Sequence, residues 1–130
     1  MRWKWLLYLA GWELGWFTIQ LIQRGRAFAA AQAAAKAAEK PLLVVGNPHG
    51  QYPCGDVVLD IEASTECPIQ QQASVESIPY SDKYFGAAFA SHVLEHVCDP
   101  QKALVELQRV ADQVFVEYPY PWRLVTYLVP

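Results

Sequence analysis

The chain has 130 residues, 53% of them hydrophobic and 18% charged, which is enough apolar material for one folded core and too little charge for a disordered segment. Its net charge of −3 withholds the basic surface that nucleic-acid binders carry, so no nucleic-acid partner is expected. Cys54, Cys67 and Cys98 are an odd number with no CxxC spacing, which argues against a zinc ribbon or a disulfide framework and makes reduced thiols in a cytosolic compartment the default.

The first element is an apolar run. Trp5 to Gln23 is 19 residues with Glu13 as the single charge, and a helix of that length spans about 28 Å, just enough to cross a bilayer. Arg24, Arg26, Lys36 and Lys40 follow the run and outnumber Arg2 and Lys4 before it, which puts the downstream side in the cytoplasm. Residues 1–26 are therefore expected to be a single-pass membrane anchor with a cytoplasmic soluble domain. A cleaved signal peptide competes, with Met1 to Lys4 as its charged start and Ala29 to Ala31 as its small-residue site; Glu13 and two arginines before the alanines oppose it. An interfacial helix anchored by Trp3, Trp5, Trp12 and Trp16 is the other alternative.

At about 100° per residue, Arg2, Glu13, Gln20 and Arg24 fall on one line of this helix and Gly11 and Gly15 nearly opposite. Gly11 and Gly15 make a GxxxG strip, which implies a transmembrane-helix partner or a homo-oligomer. Ala27 to Glu39 holds nine alanines in 13 residues, a helical linker over 27–40 with almost nothing to bury. Pro41 stops it, and residues 41–130 form the soluble domain.

That domain reads as α/β. Leu42 to Val45 is a continuous apolar run closed by Gly46, which suits a strand buried on both faces. Asp56 to Glu62 is a second strand ending in acids, Ile69 to Val75 holds a third, Phe85 to Ser91 a fourth and Gln113 to Glu117 a fifth. Between the last two, Ala103, Leu104, Leu107 and Val110 lie at helical spacing over Pro100 to Ala111, with Asp99 as cap. Strand, helix, strand with apolar strands means a parallel sheet. In such sheets ligands bind outside the carboxyl ends of the strands at the switch point.

Several stretches carry a resemblance: Glu76-Ser-Ile-Pro-Tyr-Ser-Asp82, Phe85 to Phe89, Ser91-His-Val-Leu-Glu-His-Val97 and Asp99-Pro100, preceded by Leu-Leu-Val-Val-Gly46 and an acid ending the second strand. This pattern resembles class I S-adenosylmethionine-dependent methyltransferases of the type 11 group. The resemblance implies a short Rossmann-like sheet of about five strands, S-adenosyl-L-methionine as cofactor and methyl transfer as activity. By the same resemblance, Gly46, Asn47 and Gly50 hold the methionine part, Asp60 or Glu62 the ribose, and Ser74, Val75 and Glu76 flank the adenine. Ser91 and His92 face the transferred methyl and the acceptor, with His92 as the catalytic candidate.

The chain departs from that pattern at several points. Val44 stands where the family has an acid, Pro48 takes the place of the middle glycine, Ser74 replaces the acid that meets the adenine amino group, and Gly86 replaces an Asp. Nine residues separate Gly46 from Asp56, whereas a helical crossover needs about a dozen. The helix after the first strand is expected to be missing, as are the family's last strands, since the chain ends at Pro130 soon after the fifth. A non-catalytic methyltransferase-like subunit of a membrane complex is thus the alternative function. His92-Val-Leu-Glu95-His96 also spells HxxEH, the signature of a zinc hydrolase. Asp99-Pro100 ends its helix within a turn, and no metal site is expected.

Overall fold

The computed structural model describes residues 2–63 and 66–118. In chain order the elements are α1 (Arg2–Ala37), β1 (Leu42–Val45), β2 (Val57–Asp60), β3 (Gln70–Gln72), β4 (Phe85–Ser91), a short 3-10 turn (Leu94–His96), α2 (Pro100–Val110) and β5 (Ala111–Glu117). The five strands form one sheet in the order β3-β2-β1-β4-β5. Every pairing in it is parallel. The order reverses between β1 and β4, so the switch point lies where these two strands end.

Alternation along the strands sorts the core into two faces. Leu43, Val45, Val57, Leu59, Ala88 and Ala90 pack on one side with Ala103, Leu107 and Val110 of α2. Leu42, Val44, Val58, Ala87 and Phe89 pack on the other with Phe28, Ala31 and Ala35 of α1. Helix α2 starts as its sequence predicts: the Asp99 carboxylate accepts from the Lys102 amide at 3.0 Å and Pro100 occupies the first helical turn.

Helix α1 differs from the expectation in three ways. It is continuous from Arg2 to Ala37. Its alanine-rich part, expected to bury almost nothing, supplies one whole layer of the core, because Phe28, Ala31 and Ala35 share a face at helical spacing and small side chains let the helix lie close to the sheet. The predicted membrane span is overturned as well: no helix among the described residues is long and apolar enough to cross a membrane. Trp5, Tyr8, Trp12 and Trp16 are interface-seeking residues, and Gly11, Glu13, Gly15, Thr18, Gln20 and Gln23 thin out the aliphatic ones. The membrane localisation, single-pass topology and cytoplasmic orientation fall with the span. Gly11 and Gly15 are exposed, and a Cβ at either meets nothing within 4 Å among the described residues.

No helix follows β1, in line with the nine-residue spacing. The connection is instead tied covalently: Cys54 and Cys67 form a disulfide with Cα atoms 5.6 Å apart, while Cys98 is free and exposed. The expectation of three reduced thiols is corrected accordingly. Side-by-side pairing of β1, β2 and β3 brings the two connecting loops together, which no cysteine spacing motif announces. The expectation about missing last strands concerns residues 119–130, outside the described residues.

Candidate functional site at the carboxyl edge of the sheet

A cavity of about 540 Å³ opens where β1, β2, β3 and β4 end, a size in the ordinary range for small-molecule sites. Its walls come from Gly46 to His49 after β1, Asp60 and Ile61 at the end of β2, Ala73 to Val75 after β3 and Ser91 to Val93 at the end of β4. Phe17, Gln20, Leu21 and Arg24 close one side from α1. Of the residues implied by the resemblance, Gly46, Asn47, Asp60, Ser74, Val75, Ser91 and His92 line this cavity together. Gly50, Glu62 and Glu76 are not among its lining residues. Gly50 and Glu62 are exposed, and Glu76 accepts a hydrogen bond from the Asp99 amide at 3.0 Å, bracing the start of α2.

Gly46 turns the chain at φ +85°, a left-handed conformation that side chains rarely adopt, and a Cβ there stands 2.9 Å from Val93 Cγ2. The turn is locked onto β2, since the Gly46 amide donates to Leu59 O at 2.8 Å and the Asn47 amide to Asp60 Oδ2 at 2.8 Å. Asp60 Oδ1 accepts in turn from the Glu62 amide at 3.0 Å. Each oxygen of this carboxylate keeps further acceptor capacity toward the cavity. Ser74 Oγ accepts from the Glu76 amide at 3.2 Å, which shapes the loop after β3.

The end of β4 carries the histidines. His92 has φ +55°, an unusual conformation for a residue with a side chain. Its amide is held by Glu117 O at 2.9 Å, and its Nδ1 lies 3.8 Å from Glu95 Oε1. His96 Nε2 lies 3.9 Å from the same oxygen. A 3-10 turn of three residues stands where an HxxEH zinc site needs a full helix, so His92 and His96 do not present the helical i, i+4 pair. No cluster of three metal-ligating side chains occurs among the described residues.

Two residues lining the cavity, Arg24 and Tyr52, and Glu117 beside them went unrecognised in the sequence. Arg24 of α1 donates its Nε to Glu117 Oε2 at 3.2 Å, hydrogen-bonds Gln51 and lies 6.0 Å from the Tyr52 ring centroid. Glu117 also accepts from Ser91 Oγ at 2.9 Å, joining the ends of β4 and β5. Tyr52 packs edge-on to Phe89 and tilted to Phe28, and burial pushes its phenol above the ordinary value; Arg24 opposes this while Glu117 and Asp60 add to it. One signal for Arg24 was present, since Gln20 and Arg24 lie on the polar line of α1, the line that faces this cavity. Glu117 and Tyr52 carry no pattern of their own.

A family model described as a methyltransferase domain, Methyltransf_11, matches residues 27–113, about two thirds of the chain. The chain belongs to this methyltransferase domain family. Its match starts inside α1 and so includes the helix layer that completes the core. No curated protein and no solved structure matches the chain significantly.

Proposed function

We propose that this methyltransferase domain binds S-adenosylmethionine in the carboxyl-edge cavity and transfers its methyl group to an acceptor. The observation that carries the reading is the meeting of the Gly46 turn and the Asp60 carboxylate at adjacent strand ends in one cavity. The residues fit the group: a side chain at Gly46 would crowd Val93, and Asp60 has acceptor capacity left for a ribose diol. In this reading Asp60 holds the ribose, Ser74 and Val75 flank the adenine, and Gly46 and Asn47 receive the methionine part. The cofactor, when bound, supplies an electrophilic methyl group on a sulfonium. Positioning two reactants is the main task of such a site, and Ser91 and Val93 would set the acceptor. His92, beside Glu95, would take a proton from an acceptor that loses one.

A second reading, a non-catalytic methyltransferase-like subunit, is favoured by one feature. Pro48 is buried in the turn and has no amide to offer the cofactor. Calorimetric titration of S-adenosylhomocysteine into the full chain separates the two. If Asp60 holds the ribose, Asp60→Ala weakens binding by about 10- to 150-fold, the equivalent of about 1.5 to 3 kcal/mol for hydrogen bonds to a charged group. Ser74→Ala, which leaves the Asn47 anchor intact, keeps most of the affinity. Absence of heat and of any thermal shift at millimolar ligand favours the non-catalytic subunit.

A further inference from the structure

The loop that lines the cavity has an unusual support. In place of a helix after β1, residues 47–55 carry one backbone hydrogen bond of their own, from the Gln51 amide to Pro48 O at 2.9 Å. Beyond the Asp60 anchor at Asn47, the Tyr52 ring is held against Phe28 and Phe89, and two residues later the Cys54–Cys67 bond ties the loop to the connection between β2 and β3. The exposed contact between His49 and Glu66, at 4.0 Å, runs beside it and adds little by itself. With the Tyr52 ring packing and the Arg24–Gln51 hydrogen bond, the disulfide is therefore one of three anchors for the second half of a loop whose first half forms a wall of the cavity.

The two cysteines of the bond differ in exposure. Cys67 is 7% exposed and packs in the core under α1. Cys54 lines a second, shallower hollow of about 420 Å³ together with Pro48, His49, Pro53 and Glu66. Cys54 is half-buried and borders that hollow, whereas Cys67 is buried, so Cys54 Sγ is the sulfur a small thiolate is expected to attack.

We propose that Cys54–Cys67 is a redox modification site whose reduction by a dithiol loosens the loop after β1 and weakens ligand binding in the main cavity. One thiolate of the dithiol attacks Cys54 Sγ, the S–S bond breaks, and Cys67 leaves as a thiolate that takes up a proton. The second thiol of the dithiol then displaces Cys54. The dithiol loses two electrons and closes to its own disulfide, and the protein gains two thiols. Loss of the cross-link returns conformational freedom to the loop, so ordering it around a ligand costs more. The affinity part of this inference rests on the proposed cofactor site, while the loop part does not.

The test uses the full chain, oxidised or treated with dithiothreitol, and two readouts. Hydrogen exchange over residues 47–55 is expected to accelerate on reduction and to recover on reoxidation. Affinity for S-adenosylhomocysteine is expected to fall by about 5- to 150-fold, the ordinary size of coupling between two sites. Cys98→Ser keeps both effects. Cys54→Ser combined with Cys67→Ser reproduces the reduced state and removes the response to dithiothreitol. Three free thiols in the untreated protein, unchanged exchange on reduction, or equal affinity in the two states overturns the proposal. Faster exchange with no heat in either state supports the clasp and removes the cofactor reading instead.

Discussion

Glu106 holds a segment far from it in sequence. Its Oε2 accepts from the Ile78 amide at 2.9 Å, and its neighbour Arg109 donates to Ile78 O, Tyr80 O and Asp82 Oδ1 at 2.8, 2.9 and 2.9 Å. These bonds fix residues 78–82, which begin three positions after Val75 of the cavity wall. The Arg109 guanidinium bonded to Glu106 holds its carboxyl at about 2, against an ordinary 4.5, although partial burial works the other way. A depressed folded-state value means that the stabilisation is fully present above about 4.5 and is lost as pH falls toward 2. Glu106→Gln is therefore expected to be less stable than the parent at pH 7, with the difference shrinking from pH 4.5 down to pH 2.5 in urea unfolding. A constant difference across that range contradicts the assignment. The sequence marks Glu76 to Asp82 as family-like, yet nothing local shows that Arg109 is the residue that clamps it.

At the scale of an element, α1 explains a departure that the sequence left open. Gly86 stands where the family has an Asp, and a Cβ there lies 2.8 Å from Ala35 Cα, 3.0 Å from Ala38 Cβ and 3.1 Å from Ala35 O. The helix backbone itself occupies the space of a side chain, so the alanine-rich face and Gly86 form one close contact. Gly86→Ala is expected to cost about 1 to 3 kcal/mol, as overpacking a tight core does. Gly86→Asp costs more, because it adds a buried carboxylate. Chemical denaturation of the two variants checks both the sign and the order. Alanine content made the helix legible, but nine alanines spread around residues 27–39 do not single out which face is buried.

For the whole molecule, the two-faced core sets the smallest piece that folds. Leu42, Val44, Val58, Ala87 and Phe89 are covered by Phe28, Ala31 and Ala35, so a chain starting at Pro41 exposes one full face of the sheet. That fragment is expected to show no cooperative thermal transition by circular dichroism and to aggregate. A chain starting at Gln23 keeps the buried layer and the Arg24–Glu117 ion pair, 3.2 Å long with both side chains nearly buried, and is expected to melt cooperatively. Cooperative melting of 41–130 at the parent's temperature contradicts a structural role for α1.

Local patterns carried much of this fold. The buried runs Leu42–Val45 and Phe85–Ser91, the stripe of α2 with its Asp99 cap, and the helix-free spacing after Gly46 are each written within a few residues, because propensity, capping and strand burial act over that range. The strand ends followed from topology, and with them the meeting of Gly46 and Asp60. Other features were decided only when distant segments packed: the Cys54–Cys67 bond, the Arg24–Glu117–Ser91 network, the fit of α1 on Gly86, and the use of the polar line of α1 as a cavity wall rather than a membrane face. Contacts between residues a dozen or more positions apart leave no period or spacing in either segment. Which of several apolar surfaces α1 would cover is settled by the shape of the sheet it meets.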